Sequence, residues 1–189
     1  RERGVTYLQV TVAVDHASGK GPEASARKAR YEALAKLMVP GDMLLSAHHA
    51  DDQAETLLIN LMRGSGLRGL AGMPQRRVFG PGWLVRPLLN FERADLKEYA
   101  TRHEIRWIDD PSNADKRFHR NFLRHEILPR LKARWPDIAA RLQRSALHSG
   151  EASGLLVDLA KIDLEALGGQ SGRLPVQQLL DLPRDRRKN

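Results

Sequence analysis

MLLSAHHADDQAETLLINLMRGSGLRGLAGMP, residues 43–74, changes its pattern twice. It opens on an apolar run, Met43 to Ala47, that reads as a short strand. It closes on a basic, glycine-rich turn carrying Arg63, Gly64 and Gly66. Between them the spacing predicts a helix from Asp52 to about Arg63, with Ala54, Leu57, Leu58 and Leu61 on one face. A strand that leads straight into a helix is the repeating unit of a parallel α/β sheet. Two histidines, two aspartates and a glutamate fall at the joint, between His48 and Glu55.

The flanking sequence extends that alternation. Tyr7 to Val14 (YLQVTVAV) alternates and is rich in β-branched residues, as strands are. Ala17 to Pro22 is a loop. Glu23 to Val39 reads as a helix with Ala26, Ala29, Ala33, Leu34 and Leu37 at helical spacing, stopped by Pro40-Gly41. Trp83 to Arg86 is a further short strand closed by Pro87. Glu92 to His103 is an amphipathic helix with Leu96, Tyr99 and Ala100 inward. Arg106, Trp107 and Ile108 are extended, and Asp109 to Lys116 (DDPSNADK) is rich in turn formers. Helix resumes near His119. Pro136 suits the first turn of a new helix, Ile138 to Lys161 reads as one long helix, and Gly168-Gly169 breaks the pattern. A change of composition near 131–136 divides the chain into residues 1–132, an α/β domain, and 133–189, a helical linker or the start of a second domain.

Composition narrows the function classes. Hydrophobic residues make up 41% of the 189, enough for a core, but aromatics are only 5%, so that core is aliphatic. Lysine and arginine number 31 against 23 acidic residues, a net charge of +8, which suits a polyanionic partner, nucleic acid before membrane. There is no cysteine, which excludes disulfides, cysteine-ligated zinc and a catalytic thiol within these residues. That fits a reducing, cytoplasmic setting. No apolar run approaches the roughly 20 residues of a membrane span. The start Arg1-Glu2-Arg3-Gly4 and the end at Asn189 lead us to expect a piece of a longer chain.

The polar joint is open to three readings. Asp52 as N-cap with Glu55 three residues on is a capping-box arrangement and needs no further role. Alternatively, ligands bind outside the carboxyl ends of the strands in α/β sheets, and a helix N-terminus attracts phosphate. Carboxylates there can carry Mg²⁺, and a histidine beside them can act as acid, base or phosphate ligand. A transition-metal hydrolase is the third reading. It is disfavoured because adjacent His48 and His49 point to opposite faces of a strand.

Taken whole, the stretch resembles the bacterial tRNA(Ile)-lysidine synthetases, members of the PP-loop ATP-pyrophosphatases. The resemblance continues through EASARKARYEAL (residues 23–34), RPLL (86–89) and WIDDPSNADKRFHRNFLRHEILPRL (107–131). It implies an α/β, Rossmann-like PP-loop fold with a parallel sheet, followed by a helical region. It also implies a two-step reaction. ATP, with Mg²⁺, adenylates O2 of the wobble cytidine in an isoleucine tRNA with a CAU anticodon. L-lysine then displaces AMP to form lysidine. By that resemblance Asp52 and Glu55, with His48 or His49, sit beside the cytidine and the lysine. Asp51 helps hold Mg²⁺. Arg27, Arg30 and Ala47 lie near the nucleotide, and Arg63, Arg86, Arg120, Asn121 and Arg124 contact substrate or tRNA. Lys116 to Arg134 holds seven basic residues and one acidic, a density that suits RNA phosphates. Trp107 and Phe118 are expected to pack in the core rather than stack on a base. Some members of the family are dimeric, so a homodimer is an open expectation.

The family's phosphate loop, SGGxDS, does not occur in these residues, and RGSGLRG follows a helix rather than joining strand to helix. The expectation is that the chain begins inside the catalytic domain. Two alternatives stand beside the lysidine reading. A PP-loop tRNA thiolase would commonly use cysteines, and here there are none. A non-catalytic RNA-binding module leaves unexplained the acidic block Asp51, Asp52 and Glu55, which repels phosphate. The 189 residues by themselves are expected not to hydrolyse ATP. Phosphate or pyrophosphate release by the purified 189-residue chain would overturn that.

Overall fold

The computed structural model describes residues 4–14, 22–168 and 176–188. The expected loop at 17–22 lies outside them except for Pro22, as does Gly169. The chain forms two compact units that interleave in sequence. One comprises residues 1–46 and 75–87, the other 47–74 and 88–189.

The first unit holds helix α1 (Pro22–Leu37) and strands β1 (Met43–Leu45), β2 (Arg76–Phe79) and β3 (Gly82–Val85). The strand order is β1-β3-β2. β1 runs parallel to β3 with Leu44 opposite Leu84, and β2 runs antiparallel to β3 with Val78 opposite Trp83. The sheet is therefore mixed, not purely parallel as the alternation suggested. β2 is the strand that the sequence reading missed. Its hairpin turn is Gly80-Pro81, where Gly80 takes φ +54, a left-handed value that suits the first central residue of a tight hairpin. α1 meets this hairpin through Tyr31, edge-on to Phe79 at 5.5 Å between ring centroids. Ala29, Ala33 and Leu34 are half-buried as expected, whereas Ala26 and Leu37 are exposed. Leu84 is the best buried side chain here, at 1% exposure.

Residues 7–14 do not form the expected strand. Among the described residues 4–14 there is no regular element, and Val5, Tyr7, Leu8 and Val10 are exposed. Alternation marks a chain able to bury one face, but a strand exists only when its N–H and C=O groups find a ladder.

The second unit is helical. It contains α2 (Ala50–Met62), α3 (Leu67–Leu70), α4 (Arg93–Arg102), α5 (His119–Phe122), a π-helical turn (Leu123–Ile127), α6 (Leu128–Arg134), α7 (Ile138–Ala166), α8 (Val176–Asp181) and α9 (Arg184–Arg187). Its core joins Ala54 and Leu58 of α2 to Leu123 and Leu128, with Ile59, Ile127, Leu131 and Leu142 packed around them. α7 returns against α2 and α3, with Ala139 and Ala146 essentially inaccessible. Leu61, expected on the inner face of α2, is exposed, as is Tyr99 of α4, which instead lies 4.2 Å from the His103 ring. Trp107 and Phe118 are also about half exposed rather than packed in the core. No helix among the described residues is long and apolar enough to cross a membrane.

The glycine-rich stretch after α2 is folded back on that helix. Gln53 donates to Met73 O and accepts from Met73 N–H, at 3.0 and 2.8 Å, and Asn60 donates to Gly69 O at 2.7 Å. Gly64, at φ +67, follows the C-cap Arg63, the common left-handed helix ending. In the first unit the tightest spot is Gly82, where a Cβ would sit 2.2 Å from the backbone oxygen of Asp42. That oxygen accepts from Trp83 N–H at 2.9 Å and cannot move without breaking the β1–β3 junction. Gly82→Ala is therefore expected to destabilise the first unit by about 1–3 kcal/mol, read by urea denaturation followed at Trp83 fluorescence.

Candidate active site

The polar joint lies at the start of α2, but its capping differs from the expected form. His49 is the N-cap, not Asp52. Asp52 sits in the first turn, and its Oδ2 accepts the His49 backbone N–H at 3.1 Å. One turn further in, Glu55 has no solvent exposure at all. A carboxylate in that position costs several kcal/mol unless it is paired.

The partner arrives from 69 residues away. Arg124 lays its guanidinium along Glu55, with Nε 2.7 Å from Oε1 and Nη2 3.0 Å from Oε2. The same Nη2 donates to Asp52 Oδ1 at 3.0 Å. Arg120 adds an ion pair to Glu55 Oε2 at 3.4 Å and donates to Thr56 Oγ1 at 3.1 Å. Burial holds the Glu55 carboxyl above the usual glutamate range, against the pull of Arg124.

His49 lies between two aspartates. Its Nε2 is 3.4 Å from Asp52 Oδ2, and its buried Nδ1 is 3.8 Å from Asp51 Oδ2, beyond hydrogen-bond reach. Burial lowers the imidazole below the ordinary histidine value, although both aspartates pull it upward. At neutral pH it is a neutral ring that can take up a proton. For Asp51 burial pushes upward. The hydrogen bonds from Lys132 and from the Arg93 backbone N–H, with the Lys132 and His49 charges, outweigh it and hold the carboxyl below the usual aspartate range.

The structure thus brings together His49, Asp51, Asp52, Glu55, Arg120 and Arg124. His48 precedes the N-cap and is half-buried, and Ala47 is exposed. Asn121 is spent inside the protein. Its amide donates to Ser112 O and Asp115 O, both at 2.9 Å, and so pins the 111–116 loop. Arg63 is exposed at the far end of α2. The remaining candidates belong to the first unit. There Arg27 donates to the Tyr31 hydroxyl at 3.3 Å and lies 4.8 Å from that ring's centre. Arg30 lies 5.9 Å from the same ring. Arg86 is 3% exposed, and burial, then the charges of Arg77 and Arg27, lower its pKa from the ordinary arginine value. Such a concentration of guanidinium suits phosphate.

Both oxygens of Asp51, the expected Mg²⁺ ligand, accept hydrogen bonds from the protein. Oδ1 accepts from Lys132 Nζ at 2.7 Å and Oδ2 from Arg93 N–H at 2.8 Å. Asp52 and Glu55 are likewise paired with Arg124. Among the described residues no three histidine, aspartate or glutamate side chains group to hold a metal ion. Sequence reading missed Thr56, and it took Lys132 only as one of the seven basic residues of 116–134. The one available signal was the spacing of Arg120, Arg124 and Lys132 at multiples of four.

A helix N-terminus bearing carboxylates and a neutral histidine, reached in the chain a few residues after strand β1, points to a class before it points to a reaction. The PP-loop domain model matches residues 2–131, more than half of the chain, and the chain belongs to the PP-loop domain family. It is 55% identical over 146 residues to the tRNA(Ile)-lysidine synthase of Pseudomonas fluorescens, a match covering 77% of this chain and 33% of that one. It is 52% identical over 171 residues to the enzyme of the same name from Pseudomonas aeruginosa, covering 90% and 38%. A third relative so named, from Methylococcus capsulatus, is 56% identical over 142 residues, covering 75% and 32%. The chain spans about a third of the length of these relatives.

Arg124→Met leaves Glu55 buried without its main partner. It is expected to cost about 3–5 kcal/mol of stability, measured by urea denaturation. A cost within 0.5 kcal/mol, the range of ordinary surface substitutions, would show that the pair is not structural.

Proposed function

We propose that the full-length protein is a tRNA(Ile)-lysidine synthase. The observation that carries this reading is the 52% identity to a relative of that name over 171 residues. In a chain of 189, an alignment of that length has to include the whole of residues 48–132. The basic balance of the chain, +8, fits a tRNA partner.

In this reading the C2 oxygen of the wobble cytidine takes the adenylyl group of ATP with release of pyrophosphate, and the amine of L-lysine then displaces AMP from C2. The lysine amine is an ammonium in solution and must lose a proton before it attacks. His49, neutral through burial, is the group that takes it up. Asp52, beside it at 3.4 Å, stabilises the imidazolium that results and attracts the incoming ammonium. Glu55 does not reach substrate. It lies beneath Asp52 and holds Arg124, which fixes the Asp52 carboxylate from the opposite side. Arg27 and Arg30 hold the phosphates of the nucleotide, and Arg120, 36% exposed, reaches the RNA backbone. Asp51, paired with Lys132, orients the first turn of α2.

The test follows labelled lysine into an isoleucine tRNA with a CAU anticodon, using the full-length protein and ATP. Incorporation that needs ATP and falls by at least about a hundredfold in Asp52→Asn, the scale of losing a well-placed charge at the reacting centre, is the expected result. ATP consumption with tRNA but no lysine incorporation would overturn the reading in favour of another nucleophile.

A further inference from the structure

Lys132 drew notice in the sequence only as one of the basic residues of 116–134, yet two helices share its charge. Its ammonium donates to Asp51 Oδ1 at 2.7 Å and to Glu92 Oε2 at 2.8 Å, and its side chain is 29% exposed. Asp51 belongs to the first turn of α2, and Glu92 is the N-cap of α4. Two further bonds cross the same junction. Ala50 N–H donates to Phe91 O, and Arg93 N–H donates to Asp51 Oδ2, both at 2.8 Å. The two helices therefore meet start to start.

Unaided, that junction is unfavourable. Both helix starts carry partial positive charge, and the two carboxylates that offset it repel each other at short range. A single ammonium between the carboxylates removes the repulsion and binds both. Because all three side chains are at least two-thirds covered, water screens this bridge less than a surface pair.

We propose that Lys132 is a positioning residue. By bridging Asp51 and Glu92 it fixes the first turn of α2, and with it His49 and Asp52, in the geometry that the chemistry uses. The inference rests on the lysidine reading for its consequence in catalysis, though not for the bridge itself. Lys132 touches no substrate. It acts through Asp51, whose other oxygen holds Arg93 N–H and faces His49 at 3.8 Å. Without the ammonium the Asp51 carboxylate turns away from Glu92, the start of α4 parts from that of α2, and the His49–Asp52 pair loses its fixed floor.

The experiment uses the full-length protein as wild type, Lys132→Met, Lys132→Arg and Glu92→Gln. Hydrogen exchange is read at the Ala50 and Arg93 amides and across α7, and kcat and KM are read for lysine incorporation. Lys132→Met is expected to speed exchange at Ala50 and Arg93 by about tenfold or more while α7 stays as protected as before. It is expected to lower kcat by about ten- to a hundredfold, the cost of a small misplacement, with KM for ATP little changed. Lys132→Arg, which can span both carboxylates, restores both readouts. Glu92→Gln keeps the Lys132–Asp51 pair and so folds even if Lys132→Met does not, and it moves both readouts the same way by a smaller factor. Wild-type exchange and kcat in Lys132→Met and Glu92→Gln would overturn the proposal. So would faster exchange throughout α2, α4 and α7 that arginine does not restore, the mark of a merely structural residue. If the wild type incorporates no lysine, the functional reading fails, and the exchange data still decide whether Lys132 fixes the start of α2.

Discussion

A carboxylate with no access to water has to be answered by a cation, and Glu55 is answered by Arg124. The pairing uses both oxygens of the acid and two nitrogens of the base, the geometry in which arginine binds most strongly. Much of the second unit depends on it. The fork holds the 119–134 segment onto α2. It sets Asp52 through the shared Nη2, and it leaves Arg120 beside Thr56. Without the pair, α2 would carry a bare charge in the middle of its packed face, beside Ala54 and Leu58.

Holding three cations of one segment against one helix raises a geometric problem. Residues four apart drift around a straight α-helix, because a turn takes 3.6 residues. Arg120, Arg124 and Lys132 would lose a common side over that distance. The π-helical turn at Leu123–Ile127 takes an extra residue into one turn and absorbs the drift. All three cations then reach α2, at Glu55, Asp52 and Asp51. Asn121, between the first two, points to the other side and binds the 111–116 loop instead.

Several elements were legible because one local rule governed them. α2, α4 and α7 follow apolar spacing, and β1 and β3 follow short apolar runs with turn formers after them. Where a rule needed a partner, it failed. YLQVTVAV has the composition of a strand, but residues 7–14 find no ladder among the described residues. β2, with two arginines in four residues, has little strand character and forms because β3 pairs with it across Gly80-Pro81. Leu61 and Tyr99 sit on predicted inner faces and yet stay more than half exposed. Asp52 looked like a cap because aspartate often is one; the chain begins the helix three residues earlier, where the backbone of Ala50 finds Phe91.

The sequence by itself determined the kinds of chemistry available. Its alternating apolar runs set an α/β beginning and a helical remainder, its composition set a basic balance of +8, and the block from His48 to Glu55 set acids and a base at one helix start. Those are properties of neighbours along the chain, which spacing records. Only the tertiary structure decided which charges are spent on each other. Arg124 closes on Glu55 over 69 residues, Lys132 reaches Asp51 over 81 and Glu92 over 40, and each pairing changes what the acid can do. Coulomb attraction depends on distance and burial in space, and neither is written in the spacing of residues along a chain.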